Sequence, residues 1–371
     1  MIYLDSAATS FQKPRSVRQA ADWALRNLSS PGRGAYPAAM RAAELCWNCR
    51  ELAGEMFSCE PTGVAFTSNA THGLNIAIKS AVKPGSRVAV SGYEHNAVTR
   101  PLAALGAELL VADAPLFDDE AIIGQFEELI PRADVCVCTH VSNVFGWILP
   151  VAEIARICRE HDVPLIVDAS QSAGSSQVDA SGWGAAYVAM PGHKGLLGPQ
   201  GTGLLLCSAY PEPLIHGGTG SQSASQAMPD FLPDRLEAGT HNMPGIAGLF
   251  AGMKFVNSTR PERILAHERR LRGLLERELR GVSGLEVFGG GGESQGGVLS
   301  VRSDRVSGEA LAEKLSRRGI AVRPGLHCAP LAHQSAGTSE TGTVRFSFSP
   351  FNTEAETVTA ARAVREIVTK G

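Results

Sequence analysis

The sequence carries no surplus of positive charge. Its 34 Lys and Arg stand against 37 Asp and Glu, for a formal net charge of -3. That balance argues against nucleic acid or a membrane surface as a partner. No apolar run approaches the roughly 20 residues that span a bilayer. The opening, MIYLDSAATS, has no basic segment followed by an apolar stretch, so a signal peptide is not expected. Paired CxxC motifs are also missing. Among 8 cysteines, Cys46 and Cys49 form one CxxC inside a helical pattern, and no second pair follows at zinc-site spacing. The seven cysteines other than Cys328 read as free, buried thiols of a reducing compartment, and a cytoplasmic location is expected. There is no internal repeat. What is present is bulk: 371 residues, 44% hydrophobic, enough for a large core and, at roughly 150 residues per domain, about two domains.

Short apolar runs alternate with amphipathic stretches. VAFT (64–67) precedes a helix near 70–82, and RVAV (87–90) one near 96–105. DVCVCTH (134–140) precedes VAEIARICREH (151–161), and PLIVDAS, AAYVAM and GLLLC follow. Such a pattern predicts an α/β fold around a mostly parallel sheet, with ligands at the C-terminal strand ends. After GTHNMPGIAGLF the composition changes to a charged helix (260–281), a glycine-rich turn (289–292) and shorter pieces, which predicts a smaller C-terminal α/β domain from about 255. Thr353 is placed to cap the last helix. The polar stretch 217–235 reads as a long loop, and loops of that length are often functional.

The polar residues at the strand ends form one set. They are Asn69, Ala70 and Thr71; Glu94 and His95; His140 and Asn143; Asp168 and Gln171; His193 and Lys194. Lys194, in PGHKGLLGPQGTG, could hold a phosphate, form a covalent bond or face water. Asp168 alone reads equally as a turn residue, and SNATHG as an ordinary N-cap. Together they describe a site for pyridoxal 5′-phosphate. A helix N-terminus with Thr71 suits the phosphate. A strand-end carboxylate pairs with the ring nitrogen, and a desolvated lysine attacks the aldehyde. Cys328 lies in a Pro/Gly-flanked loop rather than an apolar run, as a reactive thiol requires. His327, Cys328 and His333 read alternatively as metal ligands, but no fourth ligand is evident.

These motifs resemble the class V aminotransferases, and within them the cysteine desulfurases and selenocysteine lyases. YLDSAATS, TSNATHGLN, EHNA, HVSNVFG, VDASQS, GHKGLLGPQGTG, EAGTHNMPGIAGL, RPGLHCAP and GTVRFSFSPFNT match in order over nearly the whole chain. The resemblance implies a fold type I, aspartate aminotransferase-like enzyme. Residues 1–14 would associate with the small domain, 15–254 would form the cofactor domain, and 255–371 the small domain carrying Cys328. Lys194 looks like the Schiff-base lysine, with Asp168 at the ring nitrogen and His95 on the ring face. Gln171 and Asn143 would lie beside the ring hydroxyl, and Ala70, Thr71 and His193 at the phosphate. Thr240 would reach the phosphate of a neighbouring subunit, implying a homodimer. Arg345, with Asn143, would bind the substrate carboxylate, and Cys328 would form a persulfide.

The implied reaction takes sulfur from L-cysteine, leaves L-alanine and passes sulfur from Cys328 to an acceptor, with a protein as one possible acceptor. Alternatives are L-selenocysteine lyase chemistry, another class V activity without a persulfide, or a non-catalytic scaffold. The full set of Lys194, Asp168, His95 and Arg345 argues against the scaffold. Three features depart from the pattern. Pro191 stands where many relatives carry a phosphate-binding hydroxyl. The chain starts at the first strand, without the extra N-terminal helix of some relatives. SPGRGAYPA keeps its Arg-Gly pair but has Tyr36 where some relatives have histidine.

Overall fold

The computed structural model describes residues 1–32 and 34–370, so Arg33 of the Arg-Gly pair lies outside the described residues. The strands in chain order are β1 (Ile2–Tyr3), β2 (Val64–Thr67), β3 (Arg87–Ser91), β4 (Glu108–Ala112), β5 (Val135–Thr139), β6 (Leu165–Asp168), β7 (Tyr187–Pro191) and β8 (Gly203–Cys207). They continue with β9 (Leu285–Phe288), β10 (Val298–Ser303), β11 (Ile320–Ala321), β12 (Arg323–Gly325) and β13 (Thr343–Ser347). The first four helices are α1 (Arg15–Asn27), α2 (Pro37–Phe57), α3 (Ala70–Ala81) and α4 (Asn96–Ala104).

Seven strands form the central sheet in the order β2-β8-β7-β6-β5-β3-β4. Strands β3 to β7 pair in parallel, as the apolar runs between helices predict. Strand β8 is antiparallel to both neighbours. The glycine-rich loop after β7 contains no crossover helix, and without a crossover the chain can return only antiparallel. Every residue of β5 is buried, because helices cover both faces of the sheet. One core, with Phe126, Phe145 and Trp147, fills one face; a second, with Leu74, Ile78 and Leu102, fills the other.

A four-stranded antiparallel sheet, β12-β13-β10-β9, lies in the C-terminal part with its own core of Leu271, Leu299, Phe346 and Val364. β1 pairs with β11 there, so the first residues of the chain lie against the last third of it. Position 255 falls within the helix Met243–Thr259, which packs on α1 and α2. Thr353 caps the last helix: its Oγ1 accepts from the Glu356 N–H at 3.3 Å. The cysteine expectation needs correction. Five of the seven are buried, but Cys59, just past α2, and Cys207, at the end of β8, are half-buried because their elements end there.

Candidate active site

The C-terminal ends of β5, β6 and β7 and the start of α3 enclose a cavity of about 90 Å³. Ala70, Thr71, His95, Asn143, Asp168, Gln171, His193 and Lys194 all line it, so most of the expected site residues converge. Pro191 lines it as well.

Lys194 follows β7 in a turn fixed by close backbone packing. A Cβ on Gly195 would come within 2.3 Å of the Ala173 carbonyl, so only glycine fits beside the lysine. Among the described residues the Lys194 amine has no hydrogen-bond or ion-pair partner. Burial lowers its pKa to about 8, and the nearby Asp168 carboxylate only partly opposes this. A neutral amine is therefore accessible close to neutral pH. Asp168 ends β6 and is buried. Its Oδ1 accepts from the Ser170 N–H at 2.9 Å, and Oδ2 has no protein partner among the described residues. His95 caps α4, with Nδ1 accepting from the Ala97 N–H at 3.0 Å. That bond leaves Nε2 protonated in the neutral ring and fixes the ring plane at the cavity wall. Burial lowers the His95 pKa, so the neutral form is favoured.

At α3 the Asn69 side chain accepts from the His72 N–H at 2.9 Å. The N–H groups of Ala70 and Thr71 have no partner among the described residues and sit at the positive end of the helix, as an anion site requires. Gly203 lets β8 approach this turn: a Cβ there would lie 2.7 Å from Thr67 Oγ1. His193 shares a hydrogen bond of 3.0 Å between Nδ1 and Thr9 Oγ1, and burial pushes its pKa down to about 4. An unpartnered amine, a carboxylate with a free oxygen, an oriented imidazole and a helix N-terminus fit pyridoxal 5′-phosphate.

Three expected residues have other partners, and a fourth lies elsewhere. Gln171 Nε2 donates to the Ala7 carbonyl at 3.0 Å, which commits one of its two N–H groups. Asn143 Nδ2 donates to the His327 carbonyl at 2.8 Å. Arg345 is 2% exposed and does not reach the cavity wall. Its Nη1 donates to the Asn143 carbonyl at 3.0 Å and its Nη2 pairs with Asp5 Oδ1 at 2.8 Å. Thr240 lies outside the cavity, exposed in a separate groove with Phe66, Ser68 and His72.

Cys328 is exposed. It and His327 both adopt left-handed backbone, at φ 56° and 50°. Two such non-glycine residues in a row are strained by about 1–2 kcal/mol each. The turn is held by the Asn143 bond to the His327 carbonyl and by the Asn96 N–H donating to the Cys328 carbonyl at 2.7 Å. The His327 and His333 rings lie 5.8 Å apart, and burial lowers the pKa of both. Among the described residues no group of three or more His, Cys, Asp or Glu is placed to hold a metal ion.

Two strand-end residues turn away from the cavity. Glu94 is buried, accepting from Ser91 Oγ at 2.5 Å and the Thr139 N–H at 2.7 Å. His140 is buried edge-on to Trp183, 5.0 Å between centroids. Asp5 escaped the sequence reading. Nothing in YLDSAATS signals that its carboxylate meets an arginine 340 positions away.

Residues 2–359 match the aminotransferase class-V family. The chain belongs to that family. Its members depend on pyridoxal phosphate, in accord with the cofactor expectation. A probable cysteine desulfurase of Methanothermobacter thermautotrophicus is 32% identical, covering 100% of this chain and 95% of that protein. One from Pyrococcus abyssi is 30% identical over 99% and 94%. Among solved structures, the apo cysteine desulfurase of Thermococcus onnurineus superposes with a TM-score of 0.91 at 27% identity, covering 100% of this chain and 95% of that one. The likeness in fold meets the expected fold type I architecture with its mostly parallel central sheet. Among the described residues no helix is long and apolar enough to cross a membrane.

Proposed function

We propose that the chain is a cysteine desulfurase that converts L-cysteine to L-alanine and holds the sulfur as a persulfide on Cys328. One observation carries the reading. The unpartnered Lys194 amine shares a cavity with Asp168, His95 and the α3 N-terminus, and Asn143 of that cavity is bonded to the Cys328 turn. The cofactor supplies an electron sink for charge developed at the substrate Cα. Lys194 would anchor the cofactor and move the Cα proton. Asp168 would hold a proton at the ring nitrogen, with His95, Gln171 and Asn143 holding the ring. Ala70, Thr71 and His193 would take the phosphate. Arg345, with Asn143, holds the substrate carboxylate. The Cys328 thiolate attacks the substrate sulfur, because thiolate and not thiol is the nucleophile; the new S–S bond forms as the substrate Cβ–S bond breaks, and the electron pair left on the substrate carbon takes up a proton to give alanine.

Thr240, exposed and away from its own chain's cavity, supports a homodimer in which it serves the partner's phosphate. An exposed Cys328 supports transfer to an acceptor, either a small thiol or a sulfur-acceptor protein. The buried free thiols fit a cytoplasmic protein. We divide the chain into an N-terminal segment (1–14), a cofactor domain (15–254) and a small domain (255–371). Incubating the holoenzyme with L-cysteine and a reductant tests the activity. Alanine and sulfide are expected in equal amounts. Alanine from L-selenocysteine alone would instead identify a selenocysteine lyase.

A further inference from the structure

Arg345, assigned above to the substrate carboxylate, is closed to the cavity, and a carboxylate of the protein already occupies it. Asp5 Oδ1 lies 2.8 Å from Nη2. The side chain of Asp5 is 17% exposed and that of Arg345 2%, so Asp5 is the more exposed of the two. A second arginine stands behind it: Arg323 Nε lies 3.8 Å from Asp5 Oδ2, with its side chain 51% exposed. Asp5 thus sits between a buried and an exposed guanidinium.

The backbone beneath Asp5 is fixed. Leu4 is buried, Asp5 bridges to Ser347, and the Ala7 N–H donates to Ser347 Oγ at 2.9 Å. The side chain is free to choose between its partners, because no other hydrogen bond to its carboxylate exists among the described residues. Arg345 has an anchor besides Asp5, since Nη1 donates to the Asn143 carbonyl at 3.0 Å. Two carboxylates cannot sit on one guanidinium edge without mutual repulsion in so enclosed a place.

We propose that Asp5 is a stand-in carboxylate: it neutralises Arg345 in the free enzyme and, when an amino-acid substrate arrives, yields it by shifting to Arg323. Asp5 and Arg323 are then positioning residues that set how strongly the site binds a carboxylate. The inference rests on the assignment of Arg345 to the substrate carboxylate, but not on sulfur chemistry.

The test titrates holoenzyme with L-alanine, followed by the absorbance of the cofactor, with ethylamine as the matched amine lacking a carboxylate. Asp5→Asn is expected to bind alanine more tightly, by at least about threefold, with ethylamine unchanged. Arg323→Gln is expected to weaken alanine binding by a similar factor, and that penalty is expected to vanish in the double variant. Asp5→Ser serves the same purpose if the asparagine variant loses cofactor. Weaker or unchanged alanine binding in the Asp5 variants would overturn the proposal, since Asp5 would then only orient Arg345. A full Arg323→Gln penalty in the double variant would overturn it too, since Arg323 would then hold the carboxylate itself. Because alanine carries no sulfur, the expected shifts in a protein that releases no alanine from cysteine would sink the desulfurase reading and leave this one standing.

Discussion

Asn143 joins the strand-end cavity to the Cys328 loop: its Nδ2 donates to the His327 carbonyl at 2.8 Å while its own carbonyl accepts from Arg345 Nη1 at 3.0 Å. A single residue, four positions past β5, thus touches both the peptide that presents Cys328 and the arginine proposed for the substrate. The left-handed turn at His327 and Cys328 persists because such contacts outweigh its local strain.

Cofactor loading should follow the ionisation of Lys194. Its pKa is lowered to about 8 by burial, so the neutral, nucleophilic fraction grows as pH rises through that value. The rate at which cofactor-free protein regains its absorbance band should climb between about pH 7 and 9 and then level off. Lys194→Ala should bind pyridoxal phosphate without a borohydride-reducible link to the chain. A loading rate flat across that range would contradict the assignment.

Asp168→Asn should retain the cofactor and lose most of the turnover. The substitution keeps an acceptor for the Ser170 N–H but removes the charge proposed to hold a proton on the ring nitrogen. A loss of roughly 100-fold or more in kcat is expected, in the range of electrostatic groups in enclosed sites. Comparing kcat with cofactor content in the same preparation separates the two effects.

Cys328→Ala should abolish alanine release from L-cysteine and spare much of any release from L-selenocysteine, since selenium leaves more readily than sulfur. Stability should change by no more than about 0.5 kcal/mol, because the side chain is exposed and alanine meets the same backbone strain. Mass spectrometry after a cysteine pulse should find the added sulfur on the peptide containing GLHCAP. Sulfur on Cys46 or Cys49 instead would rule the mechanism out.

Glu94 should make the fold weaker in alkali. Burial raises its pKa to about 8, above its unfolded value, so the native state binds more protons than the unfolded chain between roughly pH 4.5 and 8. Stability therefore falls with rising pH across that window. Glu94→Gln should flatten the slope, measured as melting temperature against pH, while its carbonyl keeps the bonds from Ser91 and Thr139. An unchanged slope would show that Glu94 is ionised throughout.

The parallel sheet and the polar ends of its strands are written in the order of residues along the chain. Alternation of buried runs with helical stretches is local, and in a parallel sheet the strand ends must share one rim, so Lys194, Asp168, His95 and the α3 N-terminus were legible together. Tertiary structure decided which of the rim residues face the cavity. Glu94 and His140 stand at strand ends too, but a turn of the chain after each strand sends them into the core, and no periodicity encodes that. It also decided the pairing of Asp5 with Arg345. That contact depends on β1 and β13 being brought together by a core assembled from both ends of the chain, and a charge pair so remote in sequence leaves no local signal.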